Sequence, residues 1–187
     1  YAAPLDSDGV LLPKRMKVHN IEWVADGAAR FIQDQGASSS KPFFLYIGWT
    51  LPHGPDADRS MRDASLPFTP AGTWKVNAKF VSSTSATRKE VRTRVATLTS
   101  SSTAEARQGH KDYGLALSWL DRGVGTVLWA LQRRGVAYRT LTVFTSDHGS
   151  VDKGHCFSRG TQAPLLMQWP AFIKPGGSVT QPVSLLD

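Results

Sequence analysis

The chain has 187 residues, 41% hydrophobic and 20% charged, with a formal charge of +7. That length suits one domain with a sizeable core or half of a larger one, and no apolar run approaches the roughly 18 to 20 residues of a bilayer span. The basic balance favours anionic partners. Its arginines (Arg88, Arg92, Arg94, Arg107, Arg133, Arg134, Arg139) are nevertheless scattered, and no zinc-finger, RNA-sheet or basic-zipper signature appears. Specific nucleic-acid recognition is therefore set aside in favour of a solvated basic surface or a site for small anionic esters. The single cysteine, Cys156, rules out an internal disulfide and a cysteine-rich zinc site. A start at Tyr1 with no apolar leader reads as a processed chain or a fragment.

Residues 1–18 carry Pro4, Asp6, Asp8, Gly9 and Pro13 without a sustained period, which reads as a leading loop. Asn20 then precedes Ile21, Val24, Ala25, Ala28, Phe31 and Ile32, a helical stripe with Asn20 as its cap and Gly36 just past its end. A polar loop, 36–41, leads to Pro42 and the unbroken run Phe43 to Trp49. Continuous apolar residues suit a strand covered on both faces, as in a parallel sheet. Thr50 to Pro55 breaks that strand and sets His53 on a turn at its carboxyl end.

Residues 56–103 read as a long surface excursion, with turn residues Pro67, Pro70 and Gly72 around Trp74 and a short helix over Arg88 to Val95. From Asp112 to Arg134 the period is clear, with Leu117, Leu120, Val124, Val127, Leu128 and Leu131 at three- and four-residue steps. Arg133 and Arg134 suit the negative end of the helix dipole, and Gly135 the residue beyond it. A strand at Leu141 to Thr145 follows, and a second apolar run at Leu165 to Trp169. Strand, helix, strand with buried strands predicts α/β architecture: a mostly parallel sheet flanked by helices. Ligands of such sheets bind outside the carboxyl ends of the strands. His53 and the pair Asp147 and His148 fall there, from two different strands.

Asp147 and His148 offer a carboxylate oxygen and an imidazole nitrogen to a divalent cation, which can neutralise the charge of a phosphate or sulfate group. By spacing alone they read either as that pair or as a turn-capping carboxylate beside a solvent-facing histidine. Taken singly, Lys153 is a solvated loop lysine or a point charge for an anionic oxygen. His53 alone is a turn histidine held by backbone carbonyls, a general acid or an anion donor. Cys156 is a small loop residue rather than a nucleophile.

Together, and in order, these segments resemble the sulfatase family of the alkaline phosphatase superfamily. PFFLYIGWTLPHGP is similar to its strand-and-turn motif, LSWLDRGVGTVLWALQRRG to its helix, TLTVFTSDHG to its metal-binding strand, and KGHCFSRGTQAPLLMQWPAFIKPG to its Lys-Gly motif. The resemblance covers about residues 41–187. It implies an alkaline-phosphatase-like fold, incomplete in this chain: residues 1–40 as a loop and helix, and 41–187 as a strand and helix core. It further implies that Asp147 and His148 bind the metal, calcium in most members. Lys153 contacts sulfate and leaving-group oxygens, and His53 binds sulfate or protonates the leaving alkoxide.

Several departures accompany the likeness. The family nucleophile is a formylglycine made from Cys or Ser in C/S-x-P-S-R; Cys156-Phe157-Ser158-Arg159 lacks the proline and lies in another motif. No nucleophile is assigned in this chain, and the N-terminal Asp pair of the metal site is absent from it. Phe157, Ser158, Arg159 and Gln162 stand where Tyr, Glu, Gly and Arg are usual. The expectation is the later part of a sulfuric ester hydrolase, completed by an N-terminal half and acting on a sulfated small molecule or glycan. As an isolated fragment it is expected to be inactive. Family likeness places it in secreted, lysosomal or periplasmic compartments. A phosphate mono- or diester hydrolase of the same fold, and a non-catalytic sulfatase-like subunit, are the alternatives.

Overall fold

The computed structural model describes residues 5–7, 9–12, 20–35, 41–52, 104–149 and 157–184. The excursion at 56–103, with its expected short helix, lies outside them, as do Gly36, His53, Lys153 and Cys156. The chain divides into two compact units, Tyr1–Arg134 and Gly135–Asp187.

The first unit opens with a hairpin where a loop was expected. Strand β1 (Leu5–Ser7) pairs antiparallel with β2 (Val10–Leu12), Ser7 facing Val10 across two residues. Gly9 has φ of +77°, the left-handed conformation that glycine adopts without steric cost. Asp-Gly is a hairpin signal, but three-residue strands, one of them Leu-Asp-Ser, are too short to show as a period.

Helix α1 (Asn20–Asp34) takes Asn20, expected as its cap, as its first residue. Ile21, Ala25, Ala28, Ala29 and Ile32 are all buried on it, the recurrence that puts one face of a helix against a neighbour. That neighbour is α2 (Ala104–Arg134), which starts eight residues before the expected Asp112. Its buried residues are Ala116, Trp119, Leu120, Gly123, Thr126, Val127, Ala130 and Leu131. Leu120, Val127 and Leu131 of the expected stripe are buried, whereas Leu117 is 44% exposed and small residues join the seam. Ala116, Gly123 and Ala130 recur every seven positions, one narrow row that brings the helices close.

The close approach is measurable at Gly123. A side-chain carbon built there meets Ile21 Cδ1 and Trp49 Cζ3, each at 3.2 Å. Farther along, Gln33 Nε2 donates to the Ala130 carbonyl at 3.1 Å. The Arg134 guanidinium then reaches the Gln35 carbonyl, Nε to O 2.8 Å, and so satisfies an acceptor left open past the end of α1. Ile21 lies by Gly123 and Gln35 by Arg134, so the two helices run in the same direction.

Parallel helices require the chain to travel back between them. Residues 43–49 do so in extended form: Phe43 stacks edge-on against Phe31 at 5.8 Å, and Trp49 meets Gly123 beside Ile21. The segment therefore runs opposite to α1, the chain direction of an α/β layer. Phe43, Leu45, Ile47 and Trp49 are half-buried, while Phe44 and Tyr46 are 88% and 83% exposed. Cover on both faces, expected from the continuous apolar run, is thus found on one face among the described residues. An extended chain turns alternate side chains to opposite sides, and among the described residues the helices cover one of them.

In the second unit a 3₁₀ turn (Ala137–Arg139) follows Gly135, whose φ of +74° fits the glycine expected past α2. Strand β3 (Thr142–Thr145) pairs with β4 (Leu165–Gln168), Thr142 opposite Gln168 and Thr145 opposite Leu165. Both strands lie within a residue of their expected bounds. Both ladders among the described residues are antiparallel, so the parallel pairing expected from the pattern is not among them. Past β4, the Ala171 amide donates to the Tyr138 carbonyl at 3.1 Å, and Trp169 stacks on Phe172 at 4.3 Å.

Candidate active site

Strand β3 ends at Thr145 and the next four residues build the site. The Ser146 hydroxyl donates to the His148 carbonyl at 2.6 Å, a short-range bond that turns the backbone. The Gly149 amide donates to the Gly160 carbonyl at 2.8 Å. The peptide joining His148 and Gly149 therefore has both its groups bonded, and Gly149 is buried.

Gly160 belongs to α3 (Ser158–Thr161), a single turn closed on itself. Its Gly160 and Thr161 amides donate to the Phe157 carbonyl at 2.9 and 3.1 Å. The Asp-His-Gly turn is thus tied to the segment that also carries the rest of the Lys-Gly motif. Sequence reasoning passed over Ser146, Gly149 and Gly160 as positioning residues. A serine just before Asp147 was the available signal, since its hydroxyl readily serves nearby backbone.

The turn presents Asp147 outward, its side chain 79% exposed, beside a His148 side chain that is 31% exposed. Asp147 Oδ2 and His148 Nε2 are 3.6 Å apart, beyond hydrogen-bond length. The other ring nitrogen, Nδ1, lies 2.7 Å from the Gly149 carbonyl oxygen. The 3.6 Å between Asp147 Oδ2 and His148 Nε2 fits the spacing of two donors on one ion: donors about 2.3 to 2.6 Å from a cation and at right angles stand roughly 3.3 to 3.7 Å apart. Among the described residues no group of three or more His, Cys, Asp or Glu gathers. His53 and Lys153 lie outside the described residues.

The sulfatase family model matches residues 13–187. The chain belongs to the sulfatase family. Among relatives, mouse steryl-sulfatase is 36% identical over 101 residues, covering 43% of this chain and 16% of the relative. Arylsulfatase K of Xenopus laevis is 28% identical over 190 residues, covering 91% of this chain and 35% of the relative. This sulfatase chain thus spans about a third or less of the relatives it matches. A crystal structure of Ps i-CgsB superimposes with a TM-score of 0.58 at 23% identity, covering 93% of this chain and 33% of the other. A second, in complex with k-i-k-neocarrahexaose, gives 0.57 at 21% identity. The fold is that of these structural relatives, alkaline-phosphatase-like as the motifs implied. No helix among the described residues is long and apolar enough to cross a membrane.

Proposed function

We infer that the protein containing this chain hydrolyses sulfate esters with the help of a divalent cation, calcium, held in part by Asp147 and His148. The observation that carries the reading is the donor pair at 3.6 Å on the turn after β3, in a chain of the sulfatase family. The same-direction α1 and α2, with an extended return segment, support a mostly parallel sheet in the first unit.

A cation at this pair would supply positive charge to the sulfate oxygens as negative charge builds there. A formylglycine, provided by residues outside this chain, would supply the nucleophilic hydroxyl. Asp147, open to solvent, offers a carboxylate to the ion. Lys153 serves as a point charge on the sulfate and leaving-group oxygens. His53 holds the sulfate or gives its proton to the departing alkoxide oxygen. The substrate class is a sulfated small molecule or glycan.

The test is turnover of nitrophenyl sulfate against nitrophenyl phosphate by the full-length protein. Preference for the sulfate supports the reading, and preference for the phosphate replaces it with a phosphoester hydrolase. Calcium binding that Asp147→Ala leaves unchanged would remove this pair from the site. No cation binding and no turnover of either ester would mark a non-catalytic sulfatase-like subunit, the role suggested by Phe157, Ser158 and Arg159 in the altered motif.

A further inference from the structure

His148 is oriented by its own chain. A carbonyl oxygen only accepts, so the 2.7 Å contact between Nδ1 and the Gly149 carbonyl puts the ring hydrogen on Nδ1. In the neutral ring the lone pair then sits on Nε2, the atom 3.6 Å from Asp147 Oδ2. The peptide just before that carbonyl is held on both sides, the Gly149 amide by Gly160 and the His148 carbonyl by Ser146. The ring nitrogen bearing the lone pair and the carboxylate lie 3.6 Å apart on this turn.

We propose that the Gly149 carbonyl is a positioning group that fixes His148 as the Nδ1–H tautomer, so that His148 ligates through Nε2 and moves the pair's cation preference from calcium toward borderline ions of the cobalt(II) and zinc class. The inference rests on the reading of Asp147 and His148 as the cation pair. Calcium prefers an all-oxygen shell, whereas imidazole nitrogen suits first-row transition metals. A backbone carbonyl behind the ring raises the basicity of the ligating nitrogen, a partner whose loss changes metal affinity about 10- to 100-fold. An asparagine at 148 would present an amide oxygen in place of that nitrogen.

The deciding experiment uses the full-length protein, stripped with a chelator and titrated calorimetrically with calcium chloride and with cobalt(II) chloride. The same titrations follow on His148→Asn. The ratio of cobalt to calcium affinity is expected to fall at least about tenfold in the variant, with the cobalt visible absorption changing as a nitrogen ligand is lost. An unchanged ratio and spectrum, with both ions still bound, overturns the inference and leaves the cation pair standing. Binding of neither ion to the unaltered protein overturns the pair itself, and the inference with it. Long-range proton–nitrogen NMR of histidine-labelled, metal-free protein needs no folded variant: a hydrogen on Nδ1 of His148 supports the lock, and one on Nε2 overturns it.

Discussion

The two units of this chain bury their apolar residues very differently. In Tyr1–Arg134, α1 and α2 enclose Ile21, Ala25, Ala29, Ile32, Trp119, Ala130 and Leu131, each at 4% exposure or less. In Gly135–Asp187, by contrast, Leu166, Met167, Phe172 and Val179 are between 53% and 74% exposed. The helical unit is organised by side-chain packing, while the strand unit is organised around its turn by backbone hydrogen bonds: Gly149 to Gly160, Ala171 to Tyr138, and the amides gathered on Phe157. Substitutions in the helical unit should therefore be read as changes in stability, and substitutions on the turn as changes in binding. The candidate chemistry sits where backbone, not side-chain packing, sets the geometry.

The contrast can be broken most sharply at Trp119, which is fully buried. Trp119→Ala should cost about 3 to 5 kcal/mol of stability, read by denaturant unfolding, while cation affinity of the folded fraction stays the same. Asp147→Ala should do the reverse. Its carboxylate is largely exposed, so the unfolding midpoint should hardly move, while cation affinity measured by calorimetry falls about 100-fold or more. If both variants lost stability equally, the division between scaffold and site would be wrong.

Smaller effects sharpen the picture inside the helical unit. Gly123→Leu forces a side chain into contacts already at 3.2 Å, and overpacking of that kind costs about 1 to 3 kcal/mol. Arg134→Ala removes the guanidinium from the Gln35 carbonyl, with an expected loss of about 1 kcal/mol. Thermal unfolding followed by circular dichroism would rank both. A larger loss at Arg134 than at Gly123 would mean that the end of α1, rather than the packed seam, governs this unit.

Much of the arrangement was legible in the residues. The start of α1 at Asn20, the end of α2 at Arg134 with Gly135 beyond it, and both strands of the second unit followed from period and punctuation. The first turns of α2 did not, because Ala104 to Lys111 are mostly polar and carry no apolar stripe. The seam of α2 was read only in part: Leu120, Val127 and Leu131 are buried as expected, but counting large apolar residues overlooks Ala116, Gly123 and Ala130, whose value lies in their size. Asp147 and His148 were legible as a donor pair from their place past a strand. Their geometry was not, since it depends on a carbonyl that every residue carries, and only the fold decides which carbonyl faces the ring.

The junction of Ile21, Trp49 and Gly123 also constrains how this chain can vary. Three segments far apart in sequence share one small volume there, so that a carbon added at Gly123 comes within 3.2 Å of both Ile21 and Trp49. Positions in direct contact lose additivity by about 0.5 to 3 kcal/mol, so room released at one becomes available to another. Ile21→Val combined with Gly123→Ala should then cost less than the two changes taken singly. Residues 21, 49 and 123 should accordingly co-vary among sulfatases that keep this helix pair, a linked inheritance set by volume rather than by chemistry.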